Sequence, residues 1–275
     1  MKKFYTAKTD RVFKAIFCSD ENKHMMIQLL SSMLEKNITE LTFLNNELSV
    51  DNVLERQKIV DVLAKVDGEY VHIELNSNAV NYLHFRKFIY FSEIYSKKTK
   101  RGEKYNFKTK FIHIDLTYGL SDEEDVIKYY VMSTHGKKYI NNIEIIEFNM
   151  DSLKKYCYTK TKEKYEKFKH LIMLDLNKED LENLVLGDEF MKEYKERLEK
   201  LNEDETFTSA ISYEEDQRYI LNTEKWISFE EGMEKGIQEK TIEFIRNMHR
   251  QNIPLEQIAS IAKLPLNEVK TILKI

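Results

Sequence analysis

The spacing of apolar residues changes along the chain, and these changes predict the order of its elements. Near the start, apolar residues follow a helical period over 12–17 and again over 22–34. The period then becomes two, which is typical of strands, over 59–66 and 69–76. An aromatic-rich helical pattern covers 79–96. This part of the chain therefore predicts two helices, a pair of strands and a third helix.

Three more strand patterns follow that helix, and the rest of the chain is helical. The strands are expected at 109–116, 126–132 and 143–148. Helices, a hairpin and further strands in this order predict an α/β fold, with a mixed sheet flanked by helices. We therefore predict a sheet-containing domain over 1–202 and a helical C-terminal region over 203–275.

The C-terminal region has start signals of its own. One long helical pattern covers 230–251, and Pro254 and Pro265 each suit the first turn of a short helix. The short helices share an apolar face that needs a partner surface. We expect this face to dock on the rest of the chain or to form a homodimer with a second copy. The alternative is a helix-turn-helix that touches DNA, which the balanced charge of the segment disfavours.

Composition narrows the class of protein. Hydrophobic residues make up 42% of the chain and charged residues 33%, which supports a packed core and solubility. Two cysteines, Cys18 and Cys157, are too few for a disulfide framework and favour a reducing compartment. The chain starts without the apolar segment of a signal peptide, and no apolar run of about 18 residues is present. We therefore expect a cytoplasmic protein that does not enter a membrane.

The predicted hairpin at 59–76 carries the strongest candidate chemistry. Its Asp67-Gly68 dipeptide is typical of a two-residue turn, which fixes the register of the strands. That register places Asp61 opposite Glu74, with Cβ atoms roughly 4.5–5.5 Å apart. Two carboxylates this close repel each other, and a hard divalent cation such as Mg²⁺ relieves the repulsion. The pattern therefore indicates a metal site.

Two alternatives stay open on the pattern alone. His72, Glu74 and Asn76 share one face of the second strand, and in an ordinary amphipathic hairpin such a face is exposed to solvent. A three-residue turn would also shift the register and separate Asp61 from Glu74.

Several segments, in their order along the chain, resemble a known nuclease family. They are TDRVFKAIF at 9–17, IVDVLAKVDGEYVHIELN at 59–76, FRKFIYFSEIYSKKTKRGEKY at 85–105 and FIHIDL at 111–116. Together they resemble the Rpn-type family (recombination-promoting nuclease, or PD-(D/E)XK transposase-like). The resemblance implies a restriction-endonuclease-like core and metal-dependent cleavage of DNA. It also makes Asp61 the first acid of the motif and Glu74 the second, both binding Mg²⁺ or another divalent cation.

The third motif position holds Asn76, where the wider superfamily has lysine and this family usually has glutamine. Asparagine keeps the amide donor and acceptor with one methylene less reach, so we expect it to orient the attacking water. Two helical pairs are accessory candidates, Asp10 with Lys14 and Arg86 with Tyr90. Lys14 is expected to reach the site if its helix packs beside the hairpin, and Arg86 to grip a phosphate. The alternative for both pairs is plain helix surface.

Charge is unevenly distributed, which bears on DNA binding. The net charge is −4, yet 97–110 holds seven Lys or Arg and one acid, while 203–216 holds six acids and no base. The basic stretch is either a phosphate-binding segment or a solvated loop. The candidate DNA-binding residues are Lys97, Lys98, Lys100 and Arg101.

Other chemistries lack a matching motif. The sequence contains no HExxH or CxxC spacing for zinc and no glycine-rich nucleotide-binding loop. Two functions remain, a Mg²⁺-dependent DNA endonuclease and a catalytically silent DNA-binding or interaction protein that keeps the nuclease fold. Recombination, element mobility and phage defence stay open as biological roles.

Overall fold

The computed structural model forms two compact units, Met1–Thr208 and Ser209–Ile275. It describes residues 3–44, 47–48, 58–59, 61–77, 83–97, 108–120, 126–129, 142–155, 162–185 and 187–275.

The first unit combines helices and strands. Its described strands are β1 (Leu41–Phe43), β2 (Glu47–Leu48), β3 (Lys58–Ile59), β4 (Val62–Val66), β5 (Glu69–Asn76), β6 (Phe111–Thr117), β7 (Val126–Tyr129) and β8 (Ile143–Asn149). Its described helices are α1 (Asp10–Phe17), α2 (Lys23–Leu34), α3 (Leu83–Lys97), α4 (Met150–Lys155), α5 (Lys162–Ile172), α6 (Lys178–Leu184) and α7 (Glu189–Glu203).

Six of these strands form one mixed sheet in the order β1-β4-β5-β6-β8-β7. The central strands β5, β6 and β8 are parallel neighbours, whereas β1, β4 and β7 pair antiparallel. Among the described strands, the short β2 and β3 pair with each other in a separate two-stranded sheet. The predicted α/β class, with a mixed sheet flanked by helices, is confirmed.

The two faces of the central strands differ in polarity. One face is apolar and belongs to the core through Val71, Ile73, Ile112, Ile114, Leu116, Ile146 and Phe148. The other face carries mostly polar side chains, and α3 lies against it. The Phe91 ring of α3 is 5.9 Å from the His113 ring of β6, and Lys87 of α3 bonds to Glu147 of β8. The polar face is therefore buried under a helix, unlike the solvent face of an ordinary amphipathic hairpin.

Two strand predictions need correction. The predicted strand 59–66 is interrupted, because β3 ends at Ile59, β4 begins at Val62 and Asp61 lies in a bend between them. The short strand β1 pairs with β4 and was not predicted, because three residues are too few to establish an alternating pattern. The parts of the predicted elements at 79–82 and 130–132 lie outside the described residues.

The second unit is helical and builds a small core of its own. It contains most of α8 (Glu205–Arg250), followed by α9 (Leu255–Ala262) and α10 (Leu266–Leu273). Ile245 and Met248 of α8 pack with Ile258 of α9 and Val269 of α10 in one buried cluster. The apolar face of the two short helices thus finds its partner surface on the end of α8.

The C-terminal predictions also need adjustment at the helix starts. The long helix begins at Glu205 rather than near residue 230, so most of the acidic segment 203–216 lies within its first turns. Pro254 and Pro265 are N-cap residues and each precedes its helix by one position. Within the part of the chain that the structure describes, no helix is both long and apolar enough to cross a membrane.

Candidate functional site

The hairpin of β4 and β5 has the register that the sequence predicts. Val62 faces Ile73, so the next residue outward, Asp61, comes beside Glu74. The turn is Asp67-Gly68, with both residues at positive φ (45° and 86°), as a tight hairpin turn of this kind requires. The two candidate acids are therefore brought together by turn geometry.

Backbone and side-chain contacts hold Asp61 in place. The Leu75 amide donates to its Oδ2 at 2.7 Å, and Lys14 Nζ lies 3.4 Å from its Oδ1. Lys14 also bonds to Asp10 at 2.9–3.0 Å, so α1 does pack beside the hairpin. Burial, followed by the charges of Glu74 and Asp10, raises the pKa of Asp61 to about 7. A carboxyl in this state accommodates a second negative charge poorly and a cation well.

Glu74 is buried and tied to a pair of histidines. His72 Nε2 donates to Glu74 Oε1 at 2.9 Å, and His72 Nδ1 lies 2.7 Å from His113 Nδ1. Burial lowers the pKa of His72 despite its carboxylate neighbour. A neutral His72 that donates from Nε2 must accept at Nδ1, so His113 donates from its own Nδ1. The pair therefore fixes the orientation of the Glu74 carboxylate.

A buried lysine, Lys87, contacts side chains on the same face of the sheet. These side chains belong to β6 and β8, which lie one and two strands away from β5. Lys87 is only 4% exposed, and its Nζ is 2.6 Å from Glu147 Oε1, 3.1 Å from Thr117 Oγ1 and 3.3 Å from Asp115 Oδ2. Burial alone would raise the pKa of Asp115, but His113 and Lys87 outweigh it and lower that pKa. Glu147 behaves in the same way, with Lys87 as the main charge that lowers its pKa. Lys87 thus helps to keep both buried carboxylates ionised, and His113 contributes at Asp115.

Among the described residues, the Nε2 atom of His113 has no hydrogen-bond partner. This Nε2 is 3.1 Å from Asp115 Oδ1, but the two atoms do not form a hydrogen bond of good geometry. Beside it lies a cavity of about 170 Å³, which is lined by His84, Lys87, Phe88, Phe91, His113, Asp115 and Ile145.

Asn76 lies within this network and is already bonded on both sides of its amide. Arg86 Nη2 donates to Asn76 Oδ1 at 3.1 Å, and Asn76 Nδ2 is 3.4 Å from Asp115 Oδ1. Tyr90, one turn after Arg86, packs instead against Leu63 of the hairpin. The structure therefore brings Arg86 to the third motif position, whereas the described contacts of Tyr90 are with apolar residues.

The basic stretch falls largely outside the described residues. Lys97 ends α3, and nothing is described of its side chain, while Lys98, Lys100 and Arg101 lie beyond the helix in the undescribed segment 98–107. Cys157 also lies outside the described residues, and Cys18 is a half-buried free thiol at the end of α1.

Sequence reasoning missed the polar partners on β6, β8 and α3. The signal for the strand residues is present, because His113, Asp115 and Thr117 alternate with apolar residues along β6. Glu147 and Asn149 do the same at the end of β8. Lys87 carries no such signal, since its role depends on the packing of α3 against strands that lie far along the chain.

The residues fit a metal ion that needs few protein ligands. Among the described residues, no three His, Cys, Asp or Glu side chains are grouped to hold an ion by themselves. Asp61 and Glu74 provide carboxylate oxygens, and burial together with the charge of Glu74 raises the pKa of Asp61, a cost that a bound cation would relieve. Mg²⁺ commonly takes one or two carboxylates and completes its shell with water and phosphate.

Comparison with known proteins gives one match. The model of a family described as PD-(D/E)XK nuclease family transposase matches residues 7–231 of the 275-residue chain. The match includes α1, the hairpin, α3 and all three parallel strands. No curated protein and no solved structure matches the chain.

Proposed function

Because the chain belongs to the PD-(D/E)XK nuclease family transposases, we propose that it is a metal-dependent endonuclease that hydrolyses phosphodiester bonds of DNA. The observation that carries the proposal is the carboxylate pair, in which Asp61 stands beside Glu74 and has its pKa raised to about 7. In a nuclease family, a repelling acid pair of this kind is what a site for a divalent cation requires.

Asp61 and Glu74 would hold the ion, with Mg²⁺ as the proposed species. The chemistry that such an ion supplies is a lower pKa for water and neutralisation of charge on the scissile phosphate. The chain's own contribution is orientation. The Leu75 amide and Lys14 fix the Asp61 carboxylate, and His72 fixes that of Glu74. Partners of this kind hold metal ligands in their working geometry.

Three further side chains are proposed to act on the substrate. Asn76 is proposed to orient the attacking water. Its bonds to Arg86 and Asp115 use one lone pair of Oδ1 and one proton of Nδ2, so one of each remains for the water. Arg86 is exposed and has further N–H groups for a phosphate oxygen. Lys14 places a positive charge near the two acids. In the wider superfamily, a lysine at the third motif position supplies this charge.

DNA is the proposed substrate, and the basic stretch is its proposed backbone contact. Lys97, Lys98, Lys100 and Arg101 follow α3, the helix that carries Arg86. Charges in such a stretch bind phosphates without reading sequence. A protein that acts on DNA and has two cysteines fits the cytoplasm, which we propose as its location.

A second function is favoured by one observation, the state of Asn76. Its side chain is one methylene shorter than that of the glutamine that this family usually has at the third motif position. Both polar atoms of its amide are already bonded. A chain in which this group cannot reach a water would bind DNA or a partner without cleaving.

The test is cleavage of supercoiled plasmid by the purified protein in Mg²⁺, in Mn²⁺ and in EDTA. We expect nicking only with a divalent ion. Asp61→Asn and Glu74→Gln should each lower the rate by at least about a hundredfold, because even partners that merely support a ligand are worth 10–100-fold. Asp20→Asn, an exposed acid on the turn after α1, is the matched control and should cut like the parent.

The two functions predict different results. Binding of the plasmid without nicking in any metal would establish the silent alternative. Nicking by Asp61→Asn at the parental rate would overturn the assignment of the metal site.

A further inference from the structure

The middle of α8 exposes large apolar side chains. Every residue from 216 to 240 is exposed, so this part of the helix has no packed face. The large side chains on one stripe of the helix are more than half exposed, namely Trp226 (62%), Phe229 (62%), Met233 (51%), Ile237 (62%) and Phe244 (53%). Apolar patches of more than a few hundred Å² are rare on monomers and mark interaction sites.

The stripe borders an open groove of about 1080 Å³. Ile261 of α9 also lines the groove, as do Gly232 and Gly236, which lie between the larger residues of α8. An added Cβ at either glycine would meet nothing within 4 Å, so a partner backbone has room to approach. The five stripe side chains and Ile261, which is 54% exposed, offer roughly 500–600 Å² of apolar area. A stable interface uses about 800 Å² from each partner, so this stripe is most of one side.

Four of the five stripe residues are placed symmetrically about Lys235, and Phe229, which corresponds to Thr241, is the exception. At equal distances before and after it, Met233 corresponds to Ile237, and Trp226 corresponds to Phe244. Together with positions 230 and 240, these four residues follow the alternating four- and three-residue spacing of a coiled-coil seam.

Two pairs of charged residues follow the same symmetry with opposite signs, whereas Glu231 and Glu239, which lie off the seam, have the same sign. Glu230 corresponds to Lys240, and both occupy the seam, while farther out Glu224 corresponds to Arg246. Lys240 bonds to Glu243 of its own helix at 2.9 Å, and an ammonium group has further donors for a second acid. Self-complementarity of this kind is needed only by a helix that pairs with its own copy.

We propose that α8 forms an antiparallel coiled coil with α8 of a second copy, with the two-fold axis at Lys235. In this arrangement Trp226 meets Phe244, Met233 meets Ile237 and Glu230 meets Lys240, and each contact occurs twice. A parallel pair would instead place Glu230 against Glu230 and Lys240 against Lys240, which repel. The interface requires neither metal nor DNA, so it stands apart from the proposed nuclease activity.

Charge reversal tests the pairing directly. The full-length protein should be a dimer by sedimentation velocity at 10–100 µM. Glu230→Lys and Lys240→Glu should each raise the dissociation constant by at least about tenfold, since each places like charges at two contacts. An equimolar mixture of the two variants should dimerise again, because every contact is then between opposite charges. Glu231→Lys, the same change one residue away and off the seam, is the matched control and should dimerise like the parent.

Cross-linking tests the direction of the helices. In a background with Cys18→Ser and Cys157→Ser, a mixture of Trp226→Cys and Phe244→Cys should form a disulfide-linked dimer, and neither variant alone should. The two positions are roughly 27 Å apart along one helix, so a parallel pair would cross-link each variant with itself. A monomer at 100 µM, equal dissociation constants for all charge variants, or self-cross-linking of Trp226→Cys would each overturn the proposal.

Discussion

On the polar face of the sheet, charged side chains are buried and bonded to one another, whereas in the middle of α8 large apolar side chains face solvent. Lys87, Asp115 and Glu147 are all below 5% exposure, and Trp226 and Phe229 are both at 62%. Both arrangements cost stability or solubility relative to the reverse placement. The comparison supports the two proposals, a chemical site in the first region and a partner surface in the second.

The largest effect should come from removing the buried cation. Lys87→Met leaves Asp115 and Glu147 buried without their positive partner, and breaking such a network costs about 3–5 kcal/mol. Urea denaturation followed by circular dichroism measures the loss of unfolding free energy. Lys235→Met, the same change on the exposed middle of α8, is the control and should leave the midpoint unchanged. If both variants unfolded at the same urea concentration, the charged residues on the buried polar face would contribute no more to stability than those in the exposed middle of α8.

A smaller effect should appear as a pH dependence from Asp61. Its pKa is raised to about 7 by burial and Glu74, whereas an unfolded aspartate titrates near pH ~3.9. Between these values the folded chain holds more protons than the unfolded chain, so its unfolding free energy falls as pH rises from about 4 to about 7 and then levels off. The expected loss in EDTA is on the order of 2–4 kcal/mol.

Asp61→Asn should remove most of this slope and be the more stable form at pH 8. Mg²⁺ added at pH 8 should stabilise the parent and leave Asp61→Asn unaffected. Parallel denaturation curves for the parent and the variant across pH 5–8 would show that Asp61 is ionised in the folded chain at all these values.

The smallest effect on stability should come from Asn76. Asn76→Ala loses the bonds to Arg86 and Asp115, which costs about 1–3 kcal/mol, and should slow cleavage about tenfold or more. Asn76→Gln should preserve or raise the cleavage rate. Asn149→Ala, a buried asparagine on the same face of β8 that caps α4, is the control. It should cost similar stability and leave the rate per folded molecule unchanged. An Asn76→Ala variant that cuts as fast as this control would exclude a role for the amide.

The hairpin could be predicted because its information is local. A two-residue turn at Asp67-Gly68 sets the register, and the register alone brings Asp61 beside Glu74. The bend at Asp61 was missed because β3 continues the same alternating pattern but pairs with β2 rather than β5. An alternating sequence predicts which side chains share a face of a strand, but it does not predict which other strand this strand pairs with.

The burial of the polar face could not be predicted from the same pattern. Alternation placed Glu74 and Asn76 on one face, and exposure was the ordinary expectation for a polar face. Lys87 and Phe91, which cover it, belong to a helix whose position is set by the parallel strands. The early start of α8 was missed for a related reason. An exposed helix with no packed face has no sustained apolar period to reveal its beginning.

The turn at Asp67-Gly68 also restricts where insertions and deletions can occur in the chain. Asp67 accepts hydrogen bonds from the Thr39 and Glu40 amides, so the turn is anchored as well as tight. One residue inserted or deleted between Asp61 and Glu74 would shift the strands by one position and move one acid to the apolar face. Relatives that keep both acids should therefore also keep the spacing of thirteen positions from the first acid to the second, without insertions or deletions. Changes in length should collect instead in connections between elements, where no register is at stake.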